Sequence, residues 1–183
     1  MDAIVEAALK KWPNVPHCYG WLALDARGDW YMRDDRIQAT GPFPRVKGSR
    51  IDHDKLREFI GRNYASDERG AWFFQNGPQR VYVQLEAAPW VWRLARASVP
   101  RLTSHTGSDA SAREILIDER GRLFVATELG LGIVHTLDME AAAEAVESGA
   151  WTPQEEPFAA LVERFGYRLE PRASAAAIPT STR

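Results

Sequence analysis

Asp25-Ala26-Arg27-Gly28, Asp67-Glu68-Arg69-Gly70 and Asp118-Glu119-Arg120-Gly121 are three copies of one pattern, Asp-x-Arg-Gly. Each precedes large apolar residues: Trp30 and Tyr31, Trp72 and Phe73, Leu123 and Phe124. An aspartate opening such a turn accepts from a backbone N–H two residues on, and the glycine supplies the positive φ that closes it. The first and third copies have strand-like residues on both sides, with Trp21, Leu22 and Leu24 before one and Ile115, Leu116 and Ile117 before the other. Both read as β-hairpins. The second copy follows a helical pattern and launches a strand. The spacings differ, at 42 and 51 residues, and the flanks do not match, so the pattern is shared turn chemistry and not a structural repeat.

Outward from these turns, Asp2 is placed to cap a first helix with Ile4, Val5, Ala8, Leu9 and Trp12 on one face, and Pro13 and Pro16 stop it. Gly41-Pro42-Phe43-Pro44 reads as a loop. A helix is expected from about Asp52 to Arg62, with Leu56, Phe59 and Ile60 inward. Trp72 to Gln75 runs into Asn76-Gly77, a strong hairpin signal, and Pro78 predicts a loop slightly longer than two residues. The return strand alternates, Val81, Val83 and Leu85 on one face and Arg80, Tyr82, Gln84 and Glu86 on the other. Trp90 to Leu94 is a further strand.

Polar residues, Pro100 and Gly107 make 98–112 read as a linker or long loop. Beyond it, strands are expected near 114–117, 123–127 and 132–136, followed by two helices. Met139, Ala142, Ala143 and Val146 mark the buried stripe of the first helix; Phe158, Leu161, Val162 and Phe165 mark that of the second, which ends at Gly166. Hairpin-built sheets are antiparallel. The expected fold is therefore α+β: an antiparallel sheet of about five strands with helices on one face, plus a smaller βββαα lobe. The boundaries are a 1–97 N-terminal lobe, a 98–112 linker, a 113–170 C-terminal lobe and a disordered 171–183 tail.

The 183 residues are 45% hydrophobic and 26% charged, the balance of a globular protein. No apolar run reaches the ~20 residues that span a bilayer. Asp2 and Glu6 stand where an export signal carries positive charge, and the lone cysteine, Cys18, excludes an intramolecular disulfide. Both point to the cytoplasm. A net charge of −2 supplies no field for nucleic acid or an anionic membrane. Of the 23 basic residues only four are lysine, and the arginines are scattered among acids, a pattern that fits a GC-rich genome.

The segments Lys11-Trp12-Pro13-Asn14-Val15-Pro16-His17-Cys18-Tyr19-Gly20-Trp21 and Trp72-Phe73-Phe74-Gln75-Asn76-Gly77-Pro78-Gln79-Arg80-Val81-Tyr82-Val83 resemble a family of uncharacterised proteobacterial proteins, a domain of unknown function. The resemblance covers roughly the first half of the chain. It implies a bacterial, cytoplasmic protein and carries over no activity, cofactor or site.

Two stretches have the chemistry of a binding site. In Arg45-Val46-Lys47-Gly48-Ser49-Arg50, three cations, a glycine and a hydroxyl precede a helix N-terminus, whose free amides favour anions, although Asp52 and Asp54 compete for them. Trp90 and Trp92 share one strand face, and with Arg80 and Tyr82 they are able to form an aromatic–arginine platform if that face is open. Arg45, Lys47, Ser49, Arg50, Arg80, Tyr82, Trp90 and Trp92 are thus the candidate ligand-binding residues. His17, Cys18, His53, His105 and His135 lack metal-ligand spacing, so neither a metal nor a cofactor is expected. Neighbours such as His17 and Cys18 point to opposite sides of an extended chain.

The reading these features support is a non-catalytic binding or interaction protein holding a small anionic ligand or a protein partner. One alternative is an enzyme of unrecognised class, a hydrolase being one option, with a site at Cys18, His17 or His53. Another is a structural subunit that self-associates through an open sheet edge.

Overall fold

The computed structural model describes residues 1–95, 97 and 100–173. The strands are β1 (Cys18–Leu24), β2 (Trp30–Met32), β3 (Ser49–Arg50), β4 (Tyr64–Ser66), β5 (Trp72–Asn76), β6 (Gln79–Leu85), β7 (Trp90–Ala95), β8 (Arg101–Ser104), β9 (Asp109–Ala110), β10 (Glu114–Ile117), β11 (Leu123–Thr127), β12 (Gly130–Val134) and β13 (Gln154–Glu155). They form two sheets, ordered β3-β2-β1-β6-β5-β4 and β13-β10-β11-β12-β7-β8-β9. The helices are α1 (Ala3–Lys11), α2 (Asp35–Thr40), α3 (Asp54–Arg62), α4 (Met139–Glu147) and α5 (Phe158–Arg164). The class is α+β, as expected, and most strand pairs are antiparallel.

Among the described residues three pairs are parallel: β1 with β6, β7 with β12 and β10 with β13. Hairpin turns make only antiparallel neighbours. The parallel pairs join segments far apart in sequence, which local turn chemistry does not specify.

Local turn chemistry does specify the hairpins, and the three Asp-x-Arg-Gly turns share one hydrogen-bond pattern. One carboxylate oxygen of Asp25 accepts from the N–H of Arg27 and Asp29 at 2.9 and 3.0 Å. Asp67 does the same with Arg69 and Ala71, and Asp118 with Arg120 and Arg122. Gly28, Gly70 and Gly121 take φ of 82°, 75° and 72°. The second copy also closes a hairpin, β4–β5, because β4 follows α3 after a single residue. At Asn76-Gly77-Pro78 the register Asn76↔Gln79 leaves a two-residue turn, tighter than expected. Gly77 takes the positive φ and proline's fixed negative φ suits the second position, as in a II′ turn.

The two sheets share a core. Leu22, Leu24, Val83 and Leu85 of the first sheet pack with Leu116, Phe124, Leu131 and Ile133 of the second and Leu161 of α5. Trp90 to Ala95, expected with the first sheet, forms β7 in the second, and 98–112 contains β8 and β9. Ser104 and Gly107 repeat the turn pattern there, with the Ser104 hydroxyl accepting from Ser108 N–H at 3.0 Å. Two helix faces also differ from expectation. On α1 only Val5 is buried, while Asp2 binds Arg62 and Asn63 instead of capping. On α4, which a 3-10 turn at Thr136–Asp138 precedes, the buried residues are Ala141, Ala142 and Ala145. The expected disorder at 171–183 falls outside the described residues from 174 on. No helix among the described residues is long and apolar enough to cross a membrane.

Candidate functional site

Alternation along β6 sends Val83 and Leu85 into the shared core and turns Arg80 and Tyr82 to the opposite face of the first sheet. There Tyr82 stands opposite Phe73 on β5. Parallel pairing with β6 brings Tyr19 of β1 alongside, and its ring stacks on Tyr82 at 4.6 Å with an interplanar angle of 5°. Arg80 lies over the Phe73 ring, 4.4 Å from its centroid. An aromatic–arginine face therefore exists on this sheet, built from Tyr19, Phe73, Tyr82 and Arg80.

The second Asp-x-Arg-Gly turn forms one wall of this face. The Asp67 oxygen not used in the turn accepts from the Tyr82 hydroxyl at 3.0 Å and lies 3.6 Å from the Arg69 guanidinium. Burial works to raise the Asp67 carboxyl, but the N–H groups of Ala71 and Arg69 and the Tyr82 hydroxyl outweigh it and hold the group below the ordinary aspartate value. Burial, followed by the neighbouring Tyr82, pushes the Tyr19 phenol up. Asp67 is thus an ionised acceptor whose oxygens are already engaged.

His17, Ser66, Asp67, Glu68, Arg69, Arg80 and Tyr82 line a cavity of about 480 Å³. No carboxylate lies within ion-pair distance of Arg80 among the described residues. Beside it, Tyr19, Arg69, Ala71, Tyr82, Arg168, Glu170, Pro171 and Arg172 line a second cavity of about 290 Å³. The two share Arg69 and Tyr82.

A family model described as "Protein of unknown function (DUF2946)" matches residues 1–177. The chain belongs to that family. The match extends over nearly the whole chain, where the sequence resemblance covered about half. Two solved structures are similar in chain path. One, a DUF1285 family protein from Silicibacter pomeroyi DSS-3, shows 13% identity, a TM-score of 0.49 and coverage of 79% of this chain and 84% of that one. The other, a DUF1285 family protein from Shewanella baltica OS155, shows 15% identity, a TM-score of 0.46 and coverage of 68% and 91%. No curated protein matches the sequence.

The remaining candidates lie elsewhere. Lys47 binds Asp25 at 2.8 Å and reaches Glu86 at 3.6 Å, at the opposite end of β6 from Arg80. Ser49 and Arg50 form β3 against Met32 and Tyr31, and Arg50 pairs with Asp52 at 2.7 Å. Arg45 is exposed. Trp90 and Trp92 are buried in the core of the second sheet, their indole N–H groups donating to the carbonyls of Leu129 and Val125. They do not join Arg80 and Tyr82. Among the described residues no cluster of three or more His, Cys, Asp or Glu side chains is arranged to hold a metal. His17 faces the first cavity, while the His53 ring caps α3 by accepting from Leu56 N–H. Burial, helped by the charge of Asp35, pushes the Cys18 thiol up, away from the thiolate a nucleophile needs. Sequence reasoning missed Tyr19, Phe73, Arg69, Arg168 and Arg172. The Tyr19-x-Trp21 and Trp72-x-Phe74 alternations held part of the signal, but only the β1–β6 pairing brings these faces together.

Proposed function

We propose that the chain is a non-catalytic binding protein of the bacterial cytoplasm whose outer sheet face holds a small anionic ligand at Arg80. The supporting observation is the state of that side chain: half-buried, flat on Phe73, lining a cavity, and with no carboxylate in range among the described residues. A guanidinium packed on an aromatic ring has little water around it, so an incoming carboxylate or phosphate gains a charge-assisted, bidentate pair. Ser66 and His17 supply further polar groups on the same cavity. Asp67 does not pair with Arg80: its oxygens bind the turn N–H groups and the Tyr82 hydroxyl, and its charge faces Arg69 at 3.6 Å.

Isothermal titration with inorganic phosphate, methylphosphonate and acetate at low ionic strength tests this reading. The wild type should bind at least one of them, and Arg80→Ala should remove the binding. Arg164→Ala serves as a control, because Arg164 lines neither cavity and is paired with Glu156 and Glu114. Absence of binding to the wild type, or equal binding by Arg80→Ala, contradicts the proposal.

A further inference from the structure

The cavity at Arg80 and the second cavity meet at Arg69 and Tyr82, and the second is also lined by arginine. Arg69 and Tyr82 belong to both cavities, and Arg168 and Arg172 form the far wall. The far carboxylate, Glu170, is already engaged by Arg172 at 2.7 Å and approached by the Gln84 amide at 3.5 Å. The near carboxylates are Asp67, committed as described, and Glu68, exposed. The near end sets Arg69 and Arg80 against Asp67 and Glu68, with Arg80 outside ion-pair range of both, and the far end adds Arg168 and Arg172 against the one carboxylate Glu170, with the stacked Tyr19–Tyr82 rings beside the junction.

The far wall is fixed by backbone bonds. Arg168 N–H donates to the Gly70 carbonyl at 3.0 Å, Leu85 N–H to the Leu169 carbonyl at 2.8 Å, and Arg168 Nε to the Arg69 carbonyl at 2.9 Å. Arg168 is therefore held beside Arg69 before any ligand arrives, which lowers the ordering cost of binding at that end. The ~480 and ~290 Å³ cavities together are larger than a single phosphate or carboxylate needs.

We propose that the groove takes an elongated small molecule with an anionic group, phosphate or carboxylate, at each end and a planar or apolar spacer crossing the Tyr82–Tyr19 edge. One end binds at Arg80 and the other at Arg168 and Arg172. This rests on the anion reading of the first cavity. Once one end is bound, the second binds at the high effective concentration that the spacer sets, so affinity depends on spacer length.

The test is calorimetric titration of the full chain with methylphosphonate and with straight-chain α,ω-bisphosphonates of increasing length, alongside the matching mono- and dicarboxylates. Bisphosphonates within one range of lengths should bind about ten-fold or more tighter than methylphosphonate. The Arg168→Gln/Arg172→Gln double variant, changed at exposed positions, should abolish that gain and leave the methylphosphonate site that Arg80→Ala removes with its wild-type affinity. A preference between the phosphonate and carboxylate series identifies the end groups. If no bisphosphonate binds more tightly than methylphosphonate, or if the double variant keeps the gain, the two-ended ligand is overturned while the anion site at Arg80 stands. If the wild type binds neither series, both proposals fall.

Discussion

The carbonyl oxygen of Gly166 lies 1.7 Å from where a Cβ on Gly70 would stand. Two glycines thus dock the C-terminal segment onto the second Asp-x-Arg-Gly turn, and this contact sets Arg168 beside Arg69. Gly121, at the same place in the third turn and with nearly the same φ, would place its Cβ with nothing within 4 Å.

That contrast predicts the effect of adding a methyl group at each position. Gly121→Ala should cost only the left-handed backbone strain, about 1 kcal/mol. Gly70→Ala carries the same strain plus a backbone clash that no rotamer relieves, and should cost about 3 kcal/mol in urea unfolding. Equal losses would mean that the docked segment contributes little.

Arg33 predicts a large loss from a residue outside the groove. It is buried, with no carboxylate partner among its hydrogen bonds, and donates to the carbonyls of Val46 and Gly41 and to the Gln84 amide oxygen. Arg33→Met leaves those acceptors unpaired and should cost about 2–4 kcal/mol. Arg33→Lys should not restore the loss, because one ammonium does not reproduce the planar fork.

Trp92 separates core from site. Its ring is fully buried, and a Cβ on Gly132 would lie 2.3 Å from the indole nitrogen. Trp92→Ala should cost about 3–5 kcal/mol in unfolding while leaving the affinity for methylphosphonate unchanged. A parallel loss of binding would return Trp92 to the site.

His105 sets the acid sensitivity. It packs against Trp30, Tyr64 and Trp90, its Nδ1 accepts from Val91 N–H, and burial drives its pKa down to about 3. The unfolded chain takes up this proton near pH 6.5, whereas the folded one resists it. The stabilisation is complete above about pH 6.5 and is lost progressively as the pH falls toward 3. His135, lowered chiefly by burial, adds a loss of the same sign. Asp25, Asp67 and Asp118, all lowered, contribute stability that is lost only at more acid pH. Between about pH 6.5 and 4.5 the unfolding free energy should therefore decline, at up to about 1.4 kcal/mol per unit for each histidine. His105→Gln should flatten the slope, and an unchanged slope would contradict this assignment.

The hairpins at the first and third turns were legible because their instructions are local: an aspartate acceptor and a glycine three residues later give the same five hydrogen-bonded residues wherever they occur. The second turn reads only as the start of a strand, because the three-residue β4 lies between it and α3. The β8–β9 turn carries the same instruction with Ser104 in place of aspartate, but the polar run around it reads as a linker. Strand alternation placed Arg80 with Tyr82 and Trp90 with Trp92 on common faces. Which face is covered depends on sheet membership, and that is set by the long-range β1–β6 and β7–β12 pairings. For that reason the tryptophans went to the core and Tyr19 and Phe73 to the groove. The cations of 45–50 were visible as charge, but the partners of Lys47, Asp25 and Glu86, lie 22 and 39 positions away and are matched to it only by the fold.

The most direct test of the binding assignment is a two-dimensional ¹H–¹⁵N titration of the full chain with methylphosphonate at constant ionic strength. Saturable shifts should concentrate on the amides of residues 17–19, 66–71 and 79–82 and disappear in Arg80→Ala. Shifts that cluster around Lys47 and Arg50, or that scatter over the surface without saturating, would contradict the groove as the binding site.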